Sequence, residues 1–263
     1  MEPDYETALE GSGRSVALTL DMLTTRVPAT VAQTADQRTS APNTVKSQSN
    51  RIQQFGRGVA RLVFTPPDSP ARTCTGFLIT ASVVMTNYHC IDGLSDVTNA
   101  YVEFDYYEET SEREDFNIVG SVVTDQDGIT TERALDVALL RLDRDASRPT
   151  AALAVGRAAP GSPAVLIGHP GGAPQIVSLA ACRIVASLPP LDPSRSSFEV
   201  SHACFTETGS SGAPLFDFET GAVVALHHEG FERAAVARVN RAVAMDAIVP
   251  WLKQLQNLPI TTK

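Results

Sequence analysis

From residue 59 to residue 239 the apolar residues arrive in thirteen short runs: 59–64, 76–80, 83–86, 101–104, 118–123, 137–142, 164–167, 175–179, 182–186, 198–200, 213–216, 222–226 and 235–239. The runs are rich in Val, Ile and Phe, and clusters of Pro, Gly, Asp and Ser separate them. A run of that length is too short for a globular helix and suits a buried strand. A βαβ arrangement would need helical segments of 10–15 residues between strands, and none is present. The pattern therefore predicts an all-β chain, a sandwich or a pair of barrels. A polar stretch around 145–160 divides the runs into two groups of similar number. That division gives three regions: a polar leader, pro-segment or surface extension over 1–54, a first β unit over 55–150 and a second over 151–263. The one helix expected lies at the end, with Asp246 as its cap, Ile248, Val249, Leu252 and Leu255 as its apolar stripe and Pro250 near its first turn.

Charge removes several functions. With 21 basic and 30 acidic residues the formal net charge is −9 and there is no block of Lys and Arg. Nucleic acids and anionic membranes are not expected partners. No apolar run approaches the roughly 20 residues that span a bilayer. The first residues, Met1-Glu2-Pro3-Asp4, lack the basic and apolar regions of a signal peptide. The acidic stretch 103–115 is expected as a solvated loop, with a calcium site as the other reading. His202 and Cys204 stand close together but have no nearby partners with zinc-ligand spacing, so no metal and no cofactor is expected. Gly168-His169-Pro170-Gly171-Gly172 is read as a tight connection, because no Lys-Ser/Thr follows it as in a phosphate loop. The four cysteines, Cys74, Cys90, Cys182 and Cys204, form no CxxC pair and fit either two disulfides or four buried thiols.

Three segments carry chemistry together. Thr86-Asn87-Tyr88-His89-Cys90 follows a strand, Asp136 opens the apolar strand Val137-Ala138-Leu139-Leu140, and Gly209-Ser210-Ser211-Gly212-Ala213 enters another. They supply a base, an orienting carboxylate and a nucleophile in the chain order His, Asp, Ser. A serine hydroxyl needs an imidazole to take its proton, and the imidazole needs a buried carboxylate to fix its tautomer. Glycines beside the serine let the backbone turn and aim N–H groups at a developing oxyanion.

With these residues in place, the chain from about Val59 to Leu255 resembles the trypsin-like (chymotrypsin-fold) serine peptidases, and most of all their bacterial branch that contains the glutamyl endopeptidases. Cys74-Thr75-Gly76-Phe77-Leu78-Ile79 leading to His89-Cys90 looks like the family's segment around the catalytic histidine. Asp136-Val137-Ala138-Leu139-Leu140 looks like its aspartate element, and Gly209-Ser210-Ser211-Gly212-Ala213-Pro214 like its nucleophile element. The resemblance implies two antiparallel six-stranded β-barrels with a C-terminal helix. It implies a His89–Asp136–Ser211 triad, an oxyanion hole of the Gly209 and Ser211 N–H groups, and a Cys74–Cys90 disulfide. Pairing within each half then leaves Cys182 with Cys204, which favours a secreted or periplasmic home. Thr206 and His227 fall where glutamyl endopeptidases line the S1 pocket, so Glu is the expected P1 residue. Phe205 stands where trypsins carry a base-selecting acid, and Ser210 replaces the Asp that pairs with a new N-terminus in animal trypsins. A monomer acting on protein or peptide is expected.

Three other readings are weaker. An α/β-hydrolase would order its triad Ser, Asp/Glu, His, and after Ser211 only His227 and His228 follow, too soon for that sheet. A non-catalytic binding module on the same fold usually lacks a triad residue, and none is missing. An intracellular effector peptidase would leave the cysteine pattern unexplained.

Overall fold

Strand β1 (Val59–Phe64) is buried at five of its six positions, with no polar face. Ala60, Leu62 and Phe64 enter one apolar cluster, whereas Val59 enters another. Strand β2 (Arg72–Thr80) divides likewise, Leu78 against Phe77 and Ile79. One cluster fills a barrel and the other lies between that barrel and the second half of the molecule. Alternate residues of one strand thus serve two cores, so these runs read as continuously apolar.

The computed structural model describes residues 50–65, 70–92, 100–121, 130–179, 181–185, 198–230, 240–255 and 258–263. Residues 50–56 form helix α1, and its Ile52 is buried in the core between the halves. After β1 and β2 come β3 (Val83–Thr86), β4 (Ala100–Phe104), β5 (Glu114–Ser121), β6 (Thr130–Glu132) and β7 (Val137–Leu142). The sheet order is β3-β2-β1-β4-β5-β7-β6, and β3 also pairs with β7. Six antiparallel strands therefore close into a barrel, with β6 attached outside it along β7.

The second half comprises β8 (Ala152–Leu153), β9 (Ala164–Gly168), β10 (Ile176–Ser178), β11 (Ile184–Val185), β12 (Glu199–His202), β13 (Pro214–Asp217), β14 (Val223–Glu229) and β15 (Asn240–Ala244). Helix α2 (Met245–Leu252) and β16 (Thr261–Thr262) complete it. The order β10-β9-β13-β14-β15-β12-β11 curls on itself, and a bridge between Pro163, just before β9, and Arg183, just before β11, ties the two sides together. This half differs in detail from a six-stranded antiparallel barrel: it is a curled sheet, and β8 adds to β14, and β16 to β8, by parallel pairing. The two halves together make the double-barrel architecture of the chymotrypsin fold.

Helix α2 buries Ile248, Val249 and Leu252 as the stripe requires, but its ends differ from expectation. Ala244 is the N-cap and makes no side-chain bond, while Asp246 sits inside the first turn and pairs with Arg157 at 3.2 Å. A carboxylate there favours the positive end of the helix without capping it. Pro250 lies in the helix interior, which leaves the Asp246 carbonyl without an i+4 donor.

The acidic stretch is a solvated loop only in its middle, where Glu108, Glu109 and Glu112 are exposed. On its flanks Glu103 is buried on β4 and bonds Arg61 at 2.6 Å and Arg113 at 3.3 Å, while Asp105 and Glu114 each meet Arg148 at 2.6 Å. Those ion pairs hold the β4–β5 hairpin. The runs at 122–123 and 235–239 lie outside the described residues.

Both disulfides, Cys74–Cys90 and Cys182–Cys204, are formed, and free cysteines are absent among the described residues. The first spans 16 residues of sequence. Closing a loop of this size in the unfolded chain contributes about 3 kcal/mol on a chain-entropy argument. Replacing Cys74 and Cys90 together by Ser is expected to lower stability by about that much in a urea unfolding curve.

Candidate active site

Strand β3 ends in Thr86-Asn87 and passes into a 3₁₀ turn, Tyr88–Cys90, that projects His89. Asp136 approaches from the turn before β7, the strand paired with β3. Its φ is +53°, a left-handed conformation that Asp tolerates better than most residues. That conformation turns both its backbone and its side chain toward the His89 segment. The Asp136 carbonyl accepts from the Tyr88 N–H at 3.1 Å and the Asn87 side chain at 3.0 Å. One carboxylate oxygen accepts the His89 backbone N–H at 2.9 Å, and the other meets His89 Nδ1 at 2.7 Å. The carboxylate is 10% exposed and the imidazole 44%. A buried anion thus holds one face of a ring whose other nitrogen is left for solvent or substrate.

Ser211 comes from the second half, on the loop before β13. Thr75, on β2 beside Cys74, ties that loop to the first barrel. Its N–H donates to the Ser211 carbonyl at 2.8 Å, and its hydroxyl donates to the Gly209 carbonyl at 2.9 Å. The same hydroxyl accepts the His169 N–H at 3.0 Å, and the Thr75 carbonyl accepts the Thr86 hydroxyl at 2.8 Å. All these groups are buried. Gly212 has φ +84°, and a Cβ there would lie 2.1 Å from the Thr75 carbonyl, so the close approach requires glycine. Ser211 Oγ and His89 Nε2 share no hydrogen bond, and contacts of this kind often tighten only in the complex with substrate.

The peptide between Thr208 and Gly209 is oriented by Gly171, whose N–H donates to the Thr208 carbonyl. In a trans peptide the Gly209 N–H then points the opposite way. Gly209 has φ +93°, and a Cβ there would press on the His169 carbonyl at 2.8 Å. Neither the Gly209 nor the Ser211 N–H donates to another backbone group among the described residues. The loop over 168–172 is a tight connection, and its task is to seat the nucleophile loop.

At the expected S1 wall, Thr206 Oγ1 is buried without a hydrogen-bond partner, and a Cβ on Gly230 would lie 3.7 Å from it. Phe205 is 40% exposed. His227 does not meet Thr206. It is 1% exposed, and its Nδ1 pairs with His202 Nε2 at 3.0 Å, while His202 Nδ1 accepts the Cys204 N–H. Burial, then the neighbouring His202 and His228, hold the His227 imidazole well below its ordinary value, with a bond to the Arg241 backbone acting the other way. Burial likewise lowers His202 to about 3. The two rings form a neutral, internally bonded pair.

Three features were missed in the sequence. Thr75 gives no signal, since its partners in the second half, His169, Gly209 and Ser211, lie far away in sequence. His202 was seen only as a poor metal ligand. His228, whose Nδ1 is 3.9 Å from Asp136 Oδ2, could have been found, because neighbouring strand residues face opposite sides and His227-His228 had to serve two places.

A trypsin-like peptidase domain matches residues 74–226, more than half the chain. An uncharacterized protein, y4fB, of Sinorhizobium fredii is 29% identical over 228 residues, 78% of this chain and 32% of its own length. The chain thus spans about a third of that relative. Among solved structures, the active form of the Rv3671c protease from M. tuberculosis is similar with TM-score 0.61 at 20% identity, covering 88% of this chain and 92% of that one. The HtrA-type protease AlgW with a tripeptide is similar with TM-score 0.58 at 19% identity, covering 79% of this chain and 62% of that one. At these identities the structures speak for the fold.

The Thr75 clamp yields a prediction. Thr75→Val keeps the shape and the N–H to Ser211 but removes the hydroxyl bonds to Gly209 and His169. Peptide hydrolysis is expected to lose up to roughly a hundredfold in kcat with KM little changed, since the nucleophile loop is mispositioned while the binding walls stay. Steady-state kinetics beside a thermal melt separates this from unfolding. With the matched domain covering more than half of the chain, His89, Asp136 and Ser211 among its residues, the chain belongs to the trypsin-like peptidase family.

Proposed function

We propose that this protein is a serine endopeptidase that cleaves peptide bonds through an acyl-enzyme on Ser211. The observation that supports it most is the two-point hold of Asp136 on His89, by Oδ1 on the backbone and Oδ2 on Nδ1. His89 takes the Ser211 proton as the hydroxyl attacks the scissile carbonyl, then returns it to the leaving amine. Asp136 stabilises the imidazolium formed in between. The carbonyl oxygen becomes an oxyanion in reach of the Gly209 and Ser211 N–H groups, a contact worth on the order of 3 kcal/mol per donor in the transition state. Water, activated by the same histidine, releases the acyl group. Two disulfides support a secreted or periplasmic location for this chemistry.

Asp136→Asn tests the assignment. The fold survives, but Asn offers an amide where the imidazole needs an anion, and the wrong tautomer results. A loss of roughly 10⁴ in kcat is expected for a peptide ester or anilide substrate. A loss below tenfold would remove Asp136 from the triad.

The same proposal includes a P1 preference for Glu, with Gln and Asp weaker. Thr206 supplies the direct contact, since its buried hydroxyl lacks a partner and a bound carboxylate or amide would complete it. The His227–His202 pair supplies the protonatable group. Buried and neutral without substrate, it gains a proton more readily once a P1 carboxylate sits nearby, because opposite charges raise the histidine's affinity for a proton. That protonation is favoured at lower pH. The ratio of kcat/KM for Glu over Gln substrates is therefore expected to rise as pH falls from about 8 to about 5.5, a window above the ordinary glutamate value. His227→Ala is expected to flatten the dependence, and a P1 library measured at several pH values checks both.

A further inference from the structure

Behind the catalytic carboxylate lies a second cluster that the peptidase chemistry leaves unused. Strand β14 departs from regular pairing between His227 and Glu229: His227 opposes Ala242 and Glu229 opposes Arg241, with His228 as the extra residue. A bulge of this kind breaks the alternation of side chains and re-aims them. Here it brings consecutive residues, His228 and Glu229, to the same place as Glu199 of β12. Ligand atoms of all three lie within 4.8 Å of one another. Glu199 is 6% exposed and His228 also 6%, while Glu229 is half-buried and gives access from outside.

One observation points to a missing occupant. His228 Nε2 is buried and makes no hydrogen bond, although Glu199 Oε1 stands 3.3 Å away. That separation matches the edge of a tetrahedron around zinc, roughly 3.3 Å when metal–ligand bonds are near 2.0–2.1 Å.

We propose that Glu199, His228 and Glu229 form a zinc site that restrains the peptidase through the catalytic carboxylate. One imidazole nitrogen and two carboxylates suit Zn²⁺, whereas Ca²⁺ takes six or more oxygens. Water completes the fourth position. Metal on Nε2 fixes the proton of His228 on Nδ1, the usual arrangement of a metal-bound histidine backed by a carboxylate. That N–H faces Asp136 Oδ2 at 3.9 Å, the same oxygen that meets His89 Nδ1. Filling the site brings positive charge and a competing donor to Asp136, and so weakens its hold on the His89 imidazolium. The restraint rests on the proposed triad; the binding does not.

The test uses the whole chain, freed of metal by a chelator and then dialysed. Calorimetric titration of the Ser211→Ala protein with zinc chloride is expected to give one ion per chain and a raised Tm. Glu229→Gln, at a half-exposed position that should fold, is expected to weaken binding by at least roughly tenfold, and His89→Ala to leave it unchanged. In the wild type, zinc at saturating concentration is expected to slow phosphonate labelling, and in Glu229→Gln at the same concentration to have little effect. Absence of stoichiometric binding would overturn the site, as would binding that survives Glu229→Gln and Glu199→Gln but is lost in His89→Ala. Stoichiometric binding with unchanged labelling would overturn the restraint. Wild type that is not labelled even without zinc would count against the triad alone, because the calorimetric arm reads the site independently.

Discussion

Four hydrogen bonds meet at Thr75, and three of them join the two halves where the chemistry must be assembled. The proposed base His89 and its carboxylate Asp136 are built on the first barrel, whereas the proposed nucleophile Ser211 and its proposed oxyanion donors belong to the second. A serine peptidase on this architecture works only if the halves hold their relation to within a few tenths of an ångström. The apolar core between the barrels brings them together without direction. Thr75 adds the direction: its N–H fixes Ser211, its hydroxyl fixes Gly209 and receives His169, and its carbonyl receives Thr86. Leaving any of these buried groups unpaired costs about 1–3 kcal/mol, so the contact is held firmly. The Cys74–Cys90 disulfide anchors the residue before Thr75 to the residue after His89, and places the clamp and the base in one covalent loop.

The electrostatics follow from where Asp136 is buried. Its oxygens are occupied by the backbone and ring of His89, and a second histidine, His228, comes within 3.9 Å of the oxygen that meets His89 Nδ1. One carboxylate oxygen thus has two imidazoles near it, and the second of them also stands beside Glu199. Further in, His202 and His227 are held neutral by burial, and neighbouring imidazoles push the same way. Histidine therefore does three different things within one small region, decided by burial and by which nitrogen is bonded.

Much of this could be read from the chain. Runs such as 59–64, 83–86 and 137–142 coincide with strands because barrel strands that serve two cores are apolar at nearly every position. His89, Asp136 and Ser211 were legible because each sits at the edge of such a run with its characteristic neighbours. The two-residue strands β8 and β16 were not, since parallel pairing of Ala152-Leu153 and Thr261-Thr262 leaves no periodicity to find. The interior position of Pro250 was unreadable for another reason: packing of Ile248, Val249 and Leu252 carries the helix past a residue that local preference places at its start. Thr75 and the bulge at His228 depend on contacts between distant segments, and nothing local marks them.

The central claim is that Ser211 is made nucleophilic by a histidine held on Asp136. Labelling with a peptidyl phosphonate, followed by intact-mass measurement and peptide mapping across a pH series, tests it most directly. A single adduct is expected, on Ser211, formed at a rate that rises with pH, as general-base catalysis requires, and that collapses in Asp136→Asn. An adduct on another residue, or labelling of Ser211 at the same rate in Asp136→Asn, would contradict it.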